Sequence, residues 1–234
     1  MASFFQVGNV MAFLNGIYES DVTFAELSKQ GDFGLGTFNG VDGEMVAVDG
    51  VFYRIDEQGR AEVASQTLCT PFSVVSHFKS PMLTFTLDNI DTMADISKVI
   101  DERLPTLNAF YMIRLDGGFE QVQLRSEACQ PKPNKPLAET LPKVQNKFSL
   151  AKSTGTMVVS RCPSYSVGCT IPGYHYHYID EAKSTGGHVF DFKLKSATVS
   201  VVLLREFVMW IQDSKAFDDI NLDMDVFEAL KQVE

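Results

Sequence analysis

The chain has 234 residues, 45% of them hydrophobic, enough to bury a sizeable core in one large domain or two modest ones. Its formal net charge is −10 and its pI about 4.9, with no clustering of Lys and Arg. That argues against a nucleic-acid surface, and it means that an anionic substrate has to be met by local cations. No apolar run reaches the roughly 20 residues that span a bilayer, and no signal-peptide pattern opens the chain, so no membrane partner is expected and a cytoplasmic location is the default.

Residues 4–19 place Phe4, Val7, Val10, Met11, Leu14, Ile17 and Tyr18 at helical spacing and predict an amphipathic helix whose apolar face joins the core. Thr23 with Glu26 three residues later is a capping-box pattern for a short second helix. Residues 31–44 (GDFGLGTFNGVDGE) hold five glycines but lack the Gly-Lys-Ser/Thr of a phosphate loop. Tight turns and close backbone approaches are expected there. Asp49-Gly50 between two β-rich runs is a two-residue hairpin signal. Strands near 61–63, 70–78 and 82–87 continue what reads as an antiparallel meander.

A helix over 91–104 begins at an Asp-Thr cap and is stopped by Pro105, with Ile96, Val99, Ile100 and Leu104 as its buried stripe. Asp116-Gly117-Gly118 predicts another hairpin, between strands at 110–115 and 119–125. Arg125 ends the second strand and, on its own, reads as a surface arginine. Pro131, Pro133, Pro136 and Pro142 then break regular structure, the best boundary between two halves. The division is 1–130 (mixed sheet with helices), 131–147 (proline-rich connection) and 148–234 (a β-rich half with the metal site and a tail folding back over it).

The second half holds three of the four histidines, in GYHYHYIDEAKSTGGHVFDF at 173–192. On a strand His175 and His177 share one face and Tyr174, Tyr176 and Tyr178 the other. The turn-rich run 183–187 leads back into an alternating segment, so a hairpin would bring His188 against the pair. A chance H-x-H pair is the plain alternative, but three histidines in matching strand phase are hard to assign to chance. Three imidazoles converging with no fourth protein ligand required are the pattern of an open Zn²⁺ site. Strands at 190–195 and 198–204 follow, 206–212 is apolar and ambiguous, and 218–234 is acidic with room for a helical turn near 226–230. Cys69, Cys129, Cys162 and Cys169 form no C-x-x-C pair and read as reduced, buried small hydrophobes. A thiolate ligand from Cys162 or Cys169 is the weaker option, because three imidazoles already supply the ligands.

Two long motifs, GDFGLGTFNGVDGEM…DGVFYR at 31–54 and GYHYHYIDEAKSTGGHVFDF, resemble the acetolactate decarboxylase family, and the likeness runs along nearly the whole chain. The resemblance implies an α+β fold of two β-rich halves with antiparallel and mixed sheets and a few helices, and a homodimer. It implies conversion of 2-acetolactate, a 2-hydroxy-3-keto acid, to acetoin and CO₂ through a zinc-bound enediolate. Carried over by motif, the Zn²⁺ ligands fall on His175, His177 and His188, with Thr37 and Arg125 as substrate-binding residues. The catalytic residues fall on Arg125, Glu44 and a tail glutamate matched to Glu234, with Glu228 as its alternative. Arg125 would grip the leaving carboxylate and then assist protonation, while Glu44 and Glu234 would serve acid–base and positioning roles.

Two other readings are open. A cupin-type metal enzyme would use His175, His177 and Glu181 at H-x-H-x₃-E spacing, but the second cupin motif is missing. A non-catalytic β-rich ligand-binding module would hold a closed metal shell or none.

Overall fold

The computed structural model describes residues 2–223 and Leu230. Its first sheet is assembled from β1 (Phe4–Val7), β2 (Phe33–Thr37), β3 (Glu44–Val48), β4 (Val51–Ile55), β5 (Ala61–Val63), β6 (Ser73–Ser76) and the late strand Phe207–Trp210. The short helices α1 (Val10–Leu14) and α2 (Phe24–Leu27) precede β2. The second sheet consists of β7 (Leu83–Ile90), β8 (Phe110–Glu127), β9 (Gln145–Cys162), β10 (Gly173–Asp180) and β11 (Gly186–Leu204). Helix α3 (Met93–Asp101) lies between β7 and β8, α4 (Leu137–Val144) between β8 and β9, and α5 (Lys215–Asp219) follows the late strand, β12. This is the α+β fold expected.

In the first sheet the strand order is β12-β1-β6-β2-β3-β4-β5, and only the β1–β12 pair is parallel. The antiparallel meander therefore holds from β2 to β5 alone. Strand β6 returns to sit between β1 and β2, and β7 leaves for the other sheet. In that sheet β8, β9, β10 and β11 pair in a ring. The two edges of β11 are used differently: one pairs β8 from His188 to Leu204, while the other pairs β10 at 186–188 and then β7 at 194–201. The proline-rich connection, with α4 inside it, joins β8 to β9, which pair with one another.

One core fills the space between the ring and α3, with Ile96, Ile100, Tyr111, Ile113, Tyr176 and Phe192 among its members. A second lies between the two sheets, where Phe4, Leu35, Val46 and Val74 meet Met112, Val158, Ile179 and Val202. A third groups Phe13, Leu14, Phe72, Leu137, Leu141 and Leu230 beside the site described below.

Several local expectations hold. The capping box of α2 forms, with Thr23 Oγ1 accepting from the Glu26 amide and Glu26 accepting from the Thr23 amide. Asp49 and Gly50, at φ 54° and 80°, form the turn between β3 and β4. Helix α3 is shorter than expected, starting at the Thr92 cap and ending at Asp101.

Other expectations are corrected. Residues 4–19 are not one helix: Phe4–Val7 is a fully buried strand and only Val10–Leu14 is helical. Gly8 divides them at φ 79°, where a side chain would strike the Pro71 carbonyl, and Asn9 then caps α1 by accepting from the Met11 and Ala12 amides. Nor does Asp116-Gly117-Gly118 turn the chain. It lies inside β8, and a Cβ on Gly117 would sit 2.1 Å from the Ser196 carbonyl oxygen, so that glycine serves a close strand approach. Residues 206–212, ambiguous in sequence, contain β12. All four cysteines are free, but only Cys162 is buried and Cys129 is exposed. No described helix is long and apolar enough to cross a membrane.

Candidate metal centre and active site

Strand pairing assembles the site. His177 on β10 stands opposite His188 on β11, and His188 stands opposite Arg125 on β8, so the three occupy one transverse row of the ring. Opposed residues in a sheet project to the same face about 5 Å apart. His175, two residues before His177, joins them on that face, and the three pairs of ring centroids are 4.9, 5.0 and 5.3 Å apart. The intervening tyrosines point to the α3 side, where Tyr176 reaches Ser97 and Tyr174 reaches Asp101.

The donor set suits a metal ion. One ligand atom from each histidine lies within 4.8 Å of the others. His175 Nε2 and His188 Nδ1 are 3.2 Å apart. Two nitrogens at about 2.0–2.1 Å from one Zn²⁺ with tetrahedral geometry are separated by roughly 3.3 Å. His177 donates from Nδ1 to the Met45 carbonyl at 2.9 Å, which places the lone pair on Nε2. That buried Nε2 has no hydrogen-bond partner among the described residues, yet it faces Glu44 Oε2 at 3.3 Å. The same Nε2 belongs to the trio of imidazole nitrogens that could hold one ion.

Burial, reinforced by the Arg125 charge, pushes the His175 imidazole down to about 3. Burial first, then neighbouring charges, holds His177 and His188 well below the ordinary histidine value. All three rings are therefore neutral at pH 7 and keep the lone pairs that ligation needs. For the same reason the His177–Glu44 approach is not an ion pair between opposite charges.

Around the histidines the cavity is lined by Thr37, Glu44, Arg125 and Glu127. Thr37 and Glu44 are cross-strand partners on β2 and β3, and the Thr37 hydroxyl donates to the Gly43 carbonyl at 2.7 Å, pinning the turn that carries Glu44. Arg125 is buried, and its Nη2 reaches His188 Nε2 at 3.0 Å. The wall is apolar, built from Val10, Phe13 and Leu14 of α1, Leu137 and Leu141 of α4, and Leu230. The structure thus gathers His175, His177, His188, Arg125, Glu44 and Thr37 in one cavity, and Arg125 is no surface residue. Glu234 and its alternative Glu228 lie outside the described residues.

Glu127 escaped the sequence reading, although its i+2 spacing from Arg125 on a strand was a usable signal. Leu230 gave no signal beyond apolarity. Glu181 is exposed and outside the histidine group, and no cysteine belongs to that group among the described residues. These positions remove the basis of the cupin reading and of a thiolate ligand.

The family model described as Alpha-acetolactate decarboxylase matches residues 4–224. The alpha-acetolactate decarboxylase of Methylococcus capsulatus is 37% identical over 230 residues, covering 98% of this chain and 88% of its own. That of Bacillus subtilis is 37% identical over 223 residues, covering 95% and 87%. The crystal structure of alpha-acetolactate decarboxylase from Bacillus subtilis strain 168 superposes with a TM-score of 0.94 over 98% of each chain at 36% identity. A Staphylococcus aureus protein of unknown function, described as similar to alpha-acetolactate decarboxylase, shares the fold at a TM-score of 0.91 and 22% identity, over 98% of this chain and 97% of its own.

Proposed function

The chain belongs to the alpha-acetolactate decarboxylase family and is a carboxy-lyase, and we propose that it converts 2-acetolactate to acetoin and CO₂ at the His175–His177–His188 cavity with Zn²⁺ as its cofactor. The observation that carries this reading is the row Arg125–His188–His177, which sets a guanidinium beside a trio of neutral imidazoles.

The substrate carries its carboxylate on a carbon that also bears a hydroxyl and adjoins a ketone. When the C–C bond breaks, its electron pair passes to that carbon and on to the ketone oxygen. Bound Zn²⁺ supplies the Lewis acidity that stabilises this developing charge. His175, His177 and His188 would hold the ion, and the Met45 carbonyl fixes the His177 tautomer. A neutral imidazole has one bare nitrogen, so a His188 that offered this lone pair to the ion would carry its proton on the nitrogen facing Arg125. Arg125 then donates to the substrate carboxylate instead of to the ring. Its fork of donors fixes the carboxylate's plane and stays in place to assist protonation of the carbon after CO₂ leaves. Glu44, beside His177 Nε2, takes the substrate hydroxyl proton or orients that group. Glu234 is the second carboxylate of this reading, with Glu228 as its alternative, and Thr37 contacts the substrate. The apolar side chains of α1 and α4 exclude water around the substrate's methyl groups.

The test is acetoin release from 2-acetolactate by protein stripped with a chelator and then reloaded with Zn²⁺. Activity should vanish and return, and undiminished turnover after stripping refutes the metal's role. The same reading includes a homodimer and a cytoplasmic location. Sedimentation of the purified chain checks the dimer, and a monomer at micromolar concentration counts against it.

A further inference from the structure

Glu127 is a buried carboxylate, 3% exposed, that lines the cavity and has no part in the chemistry above. It shares a face of β8 with Arg125, and its Oε1 lies 3.8 Å from Arg125 Nε. That is beyond hydrogen-bond length, so the contact is charge attraction between two buried side chains, where it is screened little. Burying a carboxylate is costly unless a charge pairs it, and Arg125 is such a charge. The contact falls on the same Nε–Nη2 edge of the guanidinium that meets His188.

We propose that Glu127 is a positioning residue for this reaction. From the Nε side it fixes the plane of the Arg125 guanidinium, so that the Nη1–Nη2 edge, released from His188, meets the substrate carboxylate. The proposal rests on the reading of Arg125 given above. It makes a specific demand: Glu127 matters to turnover only through Arg125.

A double-mutant cycle tests it, with kcat and KM measured separately and bound zinc and thermal midpoint followed in each variant. Glu127→Gln should retain zinc and fold while kcat falls about tenfold and KM moves less than about threefold. In an Arg125→Lys enzyme the same substitution should change kcat by less than about twofold. An unchanged kcat in Glu127→Gln, or full losses that multiply in the double variant, overturns the proposal. Should Glu127→Gln fail to fold, Glu127→Asp, which draws the charge back by one methylene, enters the same cycle with the same criteria. Wild-type kinetics in Arg125→Lys would instead overturn the role of Arg125, so the two failures are distinguishable.

Discussion

The two faces of β10 put burial to opposite uses. On one face Tyr174, Tyr176 and Tyr178 sit against the α3 core, and burial raises the pKa of each phenol above its ordinary value. On the other, burial lowers the pKa of His175 and His177. Both sets are held neutral, yet their polar atoms end differently. The tyrosine hydroxyls are satisfied by the protein: Tyr174 donates to Asp101 at 2.8 Å, Tyr176 meets Ser97 at 2.9 Å and Tyr178 meets Ser153 at 2.7 Å. The imidazole nitrogens converge on one another and on Glu44. A buried polar group that the fold satisfies is structural, whereas buried acceptors aimed at a common point mark a place for something the chain does not itself supply.

Substitutions can break this contrast. The largest effect is expected for His188→Ala, which removes a ligand. Tight zinc binding should be lost, and activity should fall by more than the roughly 10–100-fold that an outer-shell partner costs. Metal analysis and acetoin assay measure both, and a variant that holds one equivalent of zinc would show that His188 is no ligand. Next comes Arg125→Lys, which keeps the charge but loses the planar fork. It should retain zinc and lose about 100-fold in turnover, and unchanged kinetics would dismiss the arginine.

Acidity attacks the histidine face specifically. The folded imidazoles bind protons more weakly than the unfolded ones, so the unfolded state takes up more protons as pH drops below about 6.5. The stability that depends on neutral histidines is therefore complete above that value and is lost progressively toward about 3, the folded value of His175. A thermal midpoint of the zinc-free protein that declines from pH 7 to 4, with a shallower slope in His175→Asn, is the expected record. A flat profile would mean that these rings are not buried neutral. The smallest effect belongs to the tyrosine face. Tyr176→Phe removes one hydrogen bond and should cost about 0.5–1.5 kcal/mol in denaturant unfolding with zinc content unchanged. A loss of zinc in this variant would show that the two faces are not independent.

Short-range chemistry was legible residue by residue. The strand phase of His175 and His177, the capping box at Thr23 and Glu26 and the turn at Asp49-Gly50 all follow from spacing within a few residues. The errors arose where a local pattern competed with a distant partner. Phe4–Val7 looked helical until β6 and β12 claimed it as a strand, and Gly117 looked like a turn until the backbone of β11 passed beside it.

What the sequence by itself determined is the strand phase of the three histidines, while the resemblance to a family was needed to add Arg125, Thr37 and Glu44 as candidates. Only the tertiary structure decided their arrangement. Arg125 and His188 are 63 positions apart, and His177 and Met45 are 132 apart. Register between such distant strands is set by how whole sheets bury their apolar faces, and a slip of one residue would turn His188 to the opposite side. Burial has the same origin, because an imidazole keeps its lone pair at neutral pH only after the sheets have closed water out around it.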